Sequence, residues 1–194
     1  MFSSSVVTVL TGNSPARDGP TSRTESSNSF LSVSEKHILK IGAKFRLGKG
    51  AYINAVDDIF WGENGCLGGD SYVGPRESGY CGKLIVGDNS QFDDRSLIDL
   101  CSDVIIGSNV KSEVNCIIYT HNHMPFENKL IWNRPITCAP VTIDEGVWIG
   151  VNCVILPGVE IGRNSIIAAG AIVTRSLDYQ SIVGGVPARL IRKI

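Results

Sequence analysis

The stretch IDEGVWIGVNCVILPGVEIGRNSIIAAGAIV, residues 143–173, repeats itself every six residues. An aliphatic side chain returns at Ile143, Ile149, Ile155, Ile161, Ile167 and Val173. Four places later a set of small or branched residues keeps step, at Val147, Cys153, Val159, Ser165 and Ala171. Gly or Ala often follows the aliphatic, as in Ile149-Gly150, Ile161-Gly162 and Ile167-Ala168. A helix repeats near 3.6 residues and an isolated strand in twos, so neither gives this period. A short flat face that turns a corner and starts again does. Three such faces close one triangular coil, which predicts stacking between residues eighteen apart: Ile143 on Ile161, Ile149 on Ile167, Ile155 on Val173. The pattern therefore reads as an all-β chain wound into a parallel β-helix of hexapeptide repeats.

The same grammar runs upstream. Ile41-Gly42, Leu47-Gly48 and Ile53 form one hexad run, and Val86-Gly87, Phe92 and Ile98 another. After a two-residue insertion come Ile106-Gly107, Ser112 and Ile118. Between these runs, residues 54–82 are rich in Gly, Asp and aromatics and hold no convincing register; they read as coil with bulged corners or a small excursion. A second break separates Ile118 from Ile143, room for one coil plus a loop from His121 to Pro140. A loop this long in a tight solenoid is uncommon and usually functional.

Residues 1–33 read as a flexible leader and 34–194 as the β-helix domain with its protruding loop. The first thirty residues are dense in Ser, Thr, Asn, Pro and Gly and cannot bury a core. Their apolar cluster Val6-Val7-Thr8-Val9-Leu10 is too short for a signal-peptide core and lacks a basic stretch before it. No segment has the run of apolar residues that a membrane-spanning helix needs. The expectation is a cytoplasmic protein. A formal charge of -1 argues against nucleic acid or an acidic membrane surface as the main partner. Six widely spaced cysteines without a CxxC pair suggest neither a disulfide framework nor a zinc site, so no metal is expected.

The block from Ile143 to Gly162 resembles the hexapeptide-repeat O-acetyltransferases, as do Ala168-Ala-Gly-Ala-Ile-Val-Thr-Arg175 and Gly184-Gly-Val-Pro-Ala-Arg-Leu-Ile-Arg192. Within that family the branch that acetylates sugars, maltose and galactoside enzymes and the capsule and lipopolysaccharide enzymes, is the most similar. Thr120-His121-Asn122-His123 before a long loop particularly resembles the polysaccharide group. The resemblance is specific from about Asp103 onward and generic from Ile38 to Asp99. It implies a left-handed coil, a homotrimer with active sites between subunits, acetyl-CoA as donor, and a sugar or glycan building block as acceptor.

Acetyl transfer to a hydroxyl needs a base to take the hydroxyl proton, and an imidazole suits that task near neutral pH. Of His37, His121 and His123, the resemblance makes His121 the catalytic base. His123 is expected to contact the acceptor or orient the loop, and His37 to be a solvated surface residue. The resemblance also implies that the backbone N–H of Val151, after Trp148-Ile149-Gly150, faces the developing oxyanion. Trp148 then stands near the active site or packs at a corner against the next subunit. No Ser or Cys nucleophile with an adjacent base is visible, and Cys116 falls in a core phase, so direct transfer is expected.

For the donor, the resemblance points to Val151, Ala169, Thr174, Arg175, Arg189 and Arg192, the arginines reaching the phosphates of coenzyme A. For the acceptor it points to Asp93, with Asp94 adjacent, and to the loop with Phe126, Glu127, Trp132 and Arg134, where an aromatic such as Trp132 can stack on a sugar ring. Corner aspartates are equally ordinary turn formers. Three other readings stay open: N-acetylation of an amino sugar, a γ-class carbonic anhydrase-like zinc enzyme, and a non-catalytic hexapeptide scaffold.

Overall fold

The computed structural model describes residues 7–9, 29–33, 37–124 and 135–194. Strands of two to five residues follow one another round a triangular prism, and no helix occurs among the described residues. Strands this short cannot stand alone; each exists because the coils before and after supply its hydrogen bonds. The fold is a left-handed parallel β-helix with three long sheets of seven, eight and seven strands. The first face runs from Leu39–Ile41 to Glu160–Ile161, the second from Arg46–Leu47 to Ser181–Gly184, and the third from Phe30–Val33 to Ile172–Val173.

The predicted stacks are the observed ones: Ile143 pairs Ile161, Ile149 pairs Ile167 and Ile155 pairs Val173. Val147, Cys153, Val159, Ser165 and Ala171, the set four places on, are all buried at the corners. Down the third face the inward column is Ile53, Val73, Ile98, Ile118, Ile155 and Val173. Each fully buried aliphatic of this kind contributes roughly 1.5–3 kcal/mol relative to exposure. The glycine after the inward residue is needed by close approach of the next coil. A Cβ on Gly150 would lie 2.7 Å from the Ala169 nitrogen, and one on Gly42 2.5 Å from the Gly62 carbonyl carbon.

One sequence expectation is sharpened here and another changes. Residues 54–82 are not out of register: Ile59–Trp61, Cys66–Leu67 and Tyr72–Gly74 are regular coil strands. The pattern is hidden by a two-residue insertion and by Trp61, a tryptophan in an aliphatic place. Its indole packs edge-on to Phe45 at 5.0 Å and Phe92 at 6.1 Å. The excursion is confined to residues 75–83. Within the stretch expected to be a flexible leader, Phe30–Val33 pairs in parallel with Tyr52–Ala55, and Val7–Val9 pairs antiparallel with Leu39–Ile41. The β-helix thus takes in strands before residue 34.

Many of the corners use residues other than glycine. Lys44, Asn64, Asn89, Asn109, Asn164 and Gln180 carry positive φ between the first and second faces, and Asp70, Arg95, Asn115 and Asn152 between the second and third. Asparagine tolerates this region because its amide bonds locally. Here it bonds between coils: Asn64 Nδ2 donates to Asn89 Oδ1 at 3.0 Å, Asn89 to Asn109 at 3.2 Å and Asn115 to Asn152 at 2.8 Å. The expected loop leaves the prism after Thr120. Its base is an antiparallel pair, His121–His123 against Ile136–Cys138.

Candidate active site on the prism edges

The strand Leu97–Asp99 ends at the edge between the third and first faces, and one coil later Ile117–Ile118 runs through Tyr119 and Thr120 into His121. The Asp99 side chain is fully buried, a position a carboxylate tolerates only when saturated with donors. Its Oδ2 receives the Thr120 N–H at 3.0 Å and the Thr120 hydroxyl at 2.8 Å, and lies 2.7 Å from His121 Nδ1. Its Oδ1 accepts the Arg76 N–H at 3.1 Å. Burial opposes ionisation, but hydrogen bonds from His121, the Thr120 N–H, the Cys101 thiol and the Thr120 hydroxyl hold the carboxyl below the usual carboxylate range. An ionised Asp99 can only accept, so Nδ1–H donates to it and the neutral His121 ring carries its lone pair on Nε2.

His121 is 8% exposed, and its Nε2 faces outward to Glu77 Oε1 at 3.8 Å. His123, on the same loop strand, places its own Nε2 3.4 Å from that oxygen. The rings of Tyr119 and His123 both stand edge-on to His121 at 5.6 Å. Thr174 and Arg175 occupy the same prism edge two coils further on, following the column Ile118, Ile155, Val173.

A second group lies on the edge between the second and third faces. At one corner here, that of Gly68 and Gly69, the N–H after the corner glycine is capped by a side chain of the next coil. The Gly69 N–H donates to Asp94 Oδ1 at 2.6 Å, and at the neighbouring edge the Glu63 N–H donates to Asp88 Oδ1 at 2.8 Å. The residue in that place over Val151 is Ala169, given the pairing of Ile149 with Ile167. Alanine has no acceptor, and among the described residues the Val151 N–H meets none. Val151 itself is 41% exposed. Three residues earlier, on the second face, Trp148 is exposed and its indole N–H donates to Glu113 Oε1 at 3.3 Å. Lys111 Nζ lies 3.1 Å from the same Glu113 oxygen.

The candidate residues read from sequence therefore separate. His121, His123, Thr174 and Arg175 share one edge; Asp93, Asp94, Val151 and Ala169 share another. Asp93 and Asp94 do not meet His121 within one chain. Asp93 caps the Asp94 N–H at 2.9 Å and Asp94 caps Gly69, so both act here as corner formers. The carboxylate that does meet the histidine, Asp99, was not singled out in the sequence. It is 22 residues before His121, one coil earlier, once the insertion near residue 100 is counted. Glu77 belongs to the excursion and has no periodic signal. Arg189 and Arg192 lie on the exposed C-terminal strand, antiparallel to Ser181–Gly184. Among the described residues their guanidinium groups donate to backbone carbonyls, of Ala188 at 2.9 Å and Lys193 at 3.4 Å. Trp132, with Phe126, Glu127 and Arg134, lies outside the described residues. His37 is half-buried, not freely solvated, with Asp57 at 3.6 Å and Asp58 at 3.9 Å. Cys116 is buried and its thiol is pushed up to about 12 by that burial, which removes it as a nucleophile.

The bacterial transferase hexapeptide family, in its six-repeat form, matches residues 140–175. The chain is 30% identical over 151 residues to WbbJ of Escherichia coli strain K12, named as a lipopolysaccharide biosynthesis O-acetyl transferase, covering 73% of this chain and 75% of that one. It is 43% identical over 91 residues to the galactoside O-acetyltransferase of the same strain, covering 47% of this chain and 44% of that protein. Among solved structures, a hexapeptide-repeat acetyltransferase from Vibrio cholerae O1 biovar eltor in complex with acetyl coenzyme A superposes with a TM-score of 0.54 at 30% identity, covering 66% of this chain and 69% of that one. The chain spans about half the length of several curated relatives that it matches. It belongs to the hexapeptide-repeat acetyltransferase family.

Proposed function

We propose that the protein moves an acetyl group from acetyl-CoA to a hydroxyl of a sugar or polysaccharide building block. The observation that carries this reading is the Asp99–His121 pair at 2.7 Å, which leaves Nε2 free on the outward side as a proton acceptor. His121 takes the acceptor hydroxyl proton as the oxygen attacks the thioester carbonyl. The tetrahedral intermediate collapses as the C–S bond breaks and the proton held on His121 passes to the departing sulfur, releasing coenzyme A thiol in direct transfer without an acyl-enzyme. The uncapped Val151 N–H receives the developing oxyanion, beside Trp148.

These two parts stand on different edges of the prism. A site using both must join the histidine edge of one chain to the amide edge of a neighbour, which supports a homotrimer with shared sites. Sugar-acetylating relatives support the sugar acceptor, and the acetyl-CoA complex of a relative supports the donor. Pantetheine then lies along the wall past Val151 and Ala169, with Thr174, Arg175, Arg189 and Arg192 toward its phosphates. Asp93, Asp94, His123 and Trp132 are placed at the acceptor side. No metal takes part in the transfer, and cytoplasmic acetyl-CoA suits a cytoplasmic protein.

Thiol release from acetyl-CoA across a panel of sugars, nucleotide-sugars and amino sugars tests the reading. A sugar hydroxyl acceptor is expected, and His121→Ala should lower the rate by about 10²- to 10⁴-fold while acetyl-CoA binding persists. Acetylation of amino groups alone, or a variant within a few-fold of the parent, would overturn it.

A further inference from the structure

Glu77, His121 and His123 arrive from two separate stretches of backbone: the excursion after Gly74, and the strand His121–His123 at the loop base. The atoms they present are one carboxylate oxygen and two imidazole Nε2 nitrogens, all within 4.8 Å of one another. His123 Nε2 lies 3.4 Å and His121 Nε2 3.8 Å from Glu77 Oε1. Three ligands around a tetrahedral zinc with bonds near 2.1 Å stand about 3.4 Å apart, so the set is already close to ligating geometry. The donor types, two imidazoles and a carboxylate, are those that hold Zn²⁺ with one position left for water.

Two further features favour a metal. His121 Nδ1–H donates to Asp99, so Nε2 carries a lone pair aimed at a carboxylate oxygen, two acceptors facing each other with no proton fixed between them. A histidine held by a carboxylate on one nitrogen and open on the other is also the arrangement that orients imidazole ligands on zinc. The neighbouring cluster of Asp99, Cys101 and His121 has no such opening, because the Asp99 oxygens are already occupied by Thr120, His121 and Arg76.

We infer that Glu77, His121 and His123 form an inhibitory zinc site, in which a bound Zn²⁺ occupies the His121 lone pair that serves as base. The inhibitory effect rests on the proposed role of His121; the metal site itself does not. Zinc enters as an ion and leaves with a chelator, and the Nδ1–H stays on His121, donated to Asp99, throughout. The transfer reaction needs no metal, so the site switches activity off.

Equilibrium dialysis of the full chain against Zn²⁺ tests the site without reference to activity, using Cys81→Ser as background so that the exposed thiol adds no binding. One Zn²⁺ per chain is expected, with Glu77→Gln and His123→Ala each weakening binding at least about tenfold, and His37→Ala leaving it unchanged. Binding that is equal in parent and Glu77→Gln, or that disappears in His37→Ala, would overturn the site. In the parent, the same Zn²⁺ should abolish acetyl transfer and a chelator should restore it. Zinc bound at Glu77 and His123 with transfer unchanged would overturn both the inhibition and the base assignment while leaving the metal site standing.

Discussion

Asp99 Oδ2 lies 2.7 Å from His121 Nδ1 across one turn of the coil, and that contact decides which ring nitrogen faces the open edge. Asp99→Asn reverses it. The amide can donate to Nδ1, leaving the proton on Nε2 and no lone pair for the acceptor hydroxyl. The expected result is a fall in kcat approaching that of His121→Ala, on the order of 10²- to 10⁴-fold, with the KM for acetyl-CoA little changed. Steady-state kinetics on the folded variant checks this; parent-like kcat would detach Asp99 from the chemistry.

The same carboxylate makes stability depend on acid. Its folded-state pKa lies below the ordinary 3.8, so the folded chain binds that proton less readily than the unfolded chain does. The stabilisation is therefore complete above 3.8 and is lost as pH falls through the lower folded value. Asp99→Asn should cost about 1–3 kcal/mol at neutral pH. Melting curves of parent and variant should draw together as the pH is lowered; a gap that stays constant would contradict the assignment.

Ala169 over Val151 offers a test of the shared site. Ala169→Asp places a carboxylate where Asp94 stands over Gly69, and should cap the Val151 N–H and suppress transfer. His121→Ala is inactive for a different reason. Co-expressed, the two should form mixed trimers in which roughly a quarter of sites pair an intact histidine edge with an intact amide edge. Activity in the mixture well above either variant is expected. No recovery in verified mixed assemblies would put both groups in one chain.

The asparagine ladder predicts a backbone effect. Asn89 has φ of 58° and bonds both Asn64 and Asn109. Alanine there keeps the strained conformation without the bonds, at a cost of about 1–2 kcal/mol. Asn89→Gly should recover most of that loss, since glycine adopts positive φ freely. Thermal melts of both variants separate the conformational cost from the hydrogen bonds; equal loss in both would assign it to the bonds.

Thiol reactivity should follow depth. Cys81 is exposed, while burial pushes Cys101 and Cys116 up to about 12. Since the thiolate is the reacting form, alkylation of the native protein should label Cys81 first and leave Cys101 and Cys116 until unfolding. Peptide mapping reads the order directly, and early labelling of Cys116 would mean that the coil opens near the loop.

The six-residue period by itself determined the β-helix, its stacks and its inward columns. An inward side chain every sixth residue has one consistent closure, and burying Ile143 on Ile161 requires the register that the sequence spells. The exit of the loop after Thr120 was also legible, because it breaks a period otherwise kept. Periodicity could not follow the chain past Ile53, where an insertion shifts the phase and Trp61 fills an aliphatic place; the strand pairings and the packing of Trp61 on Phe45 and Phe92 show that the coil continues.

Which residues share an edge was likewise left to the tertiary structure. Asp93 and Asp99 are six residues apart in sequence but stand at different corners, since six residues carry the chain along a whole face and round its edge. That turn takes Asp93 away from His121 and brings Asp99 beneath it. Glu77 reaches the histidines from an excursion without a period, so only the folded prism sets it there. The chemistry of a solenoid is written between coils, in distances that the order of residues along one coil does not contain.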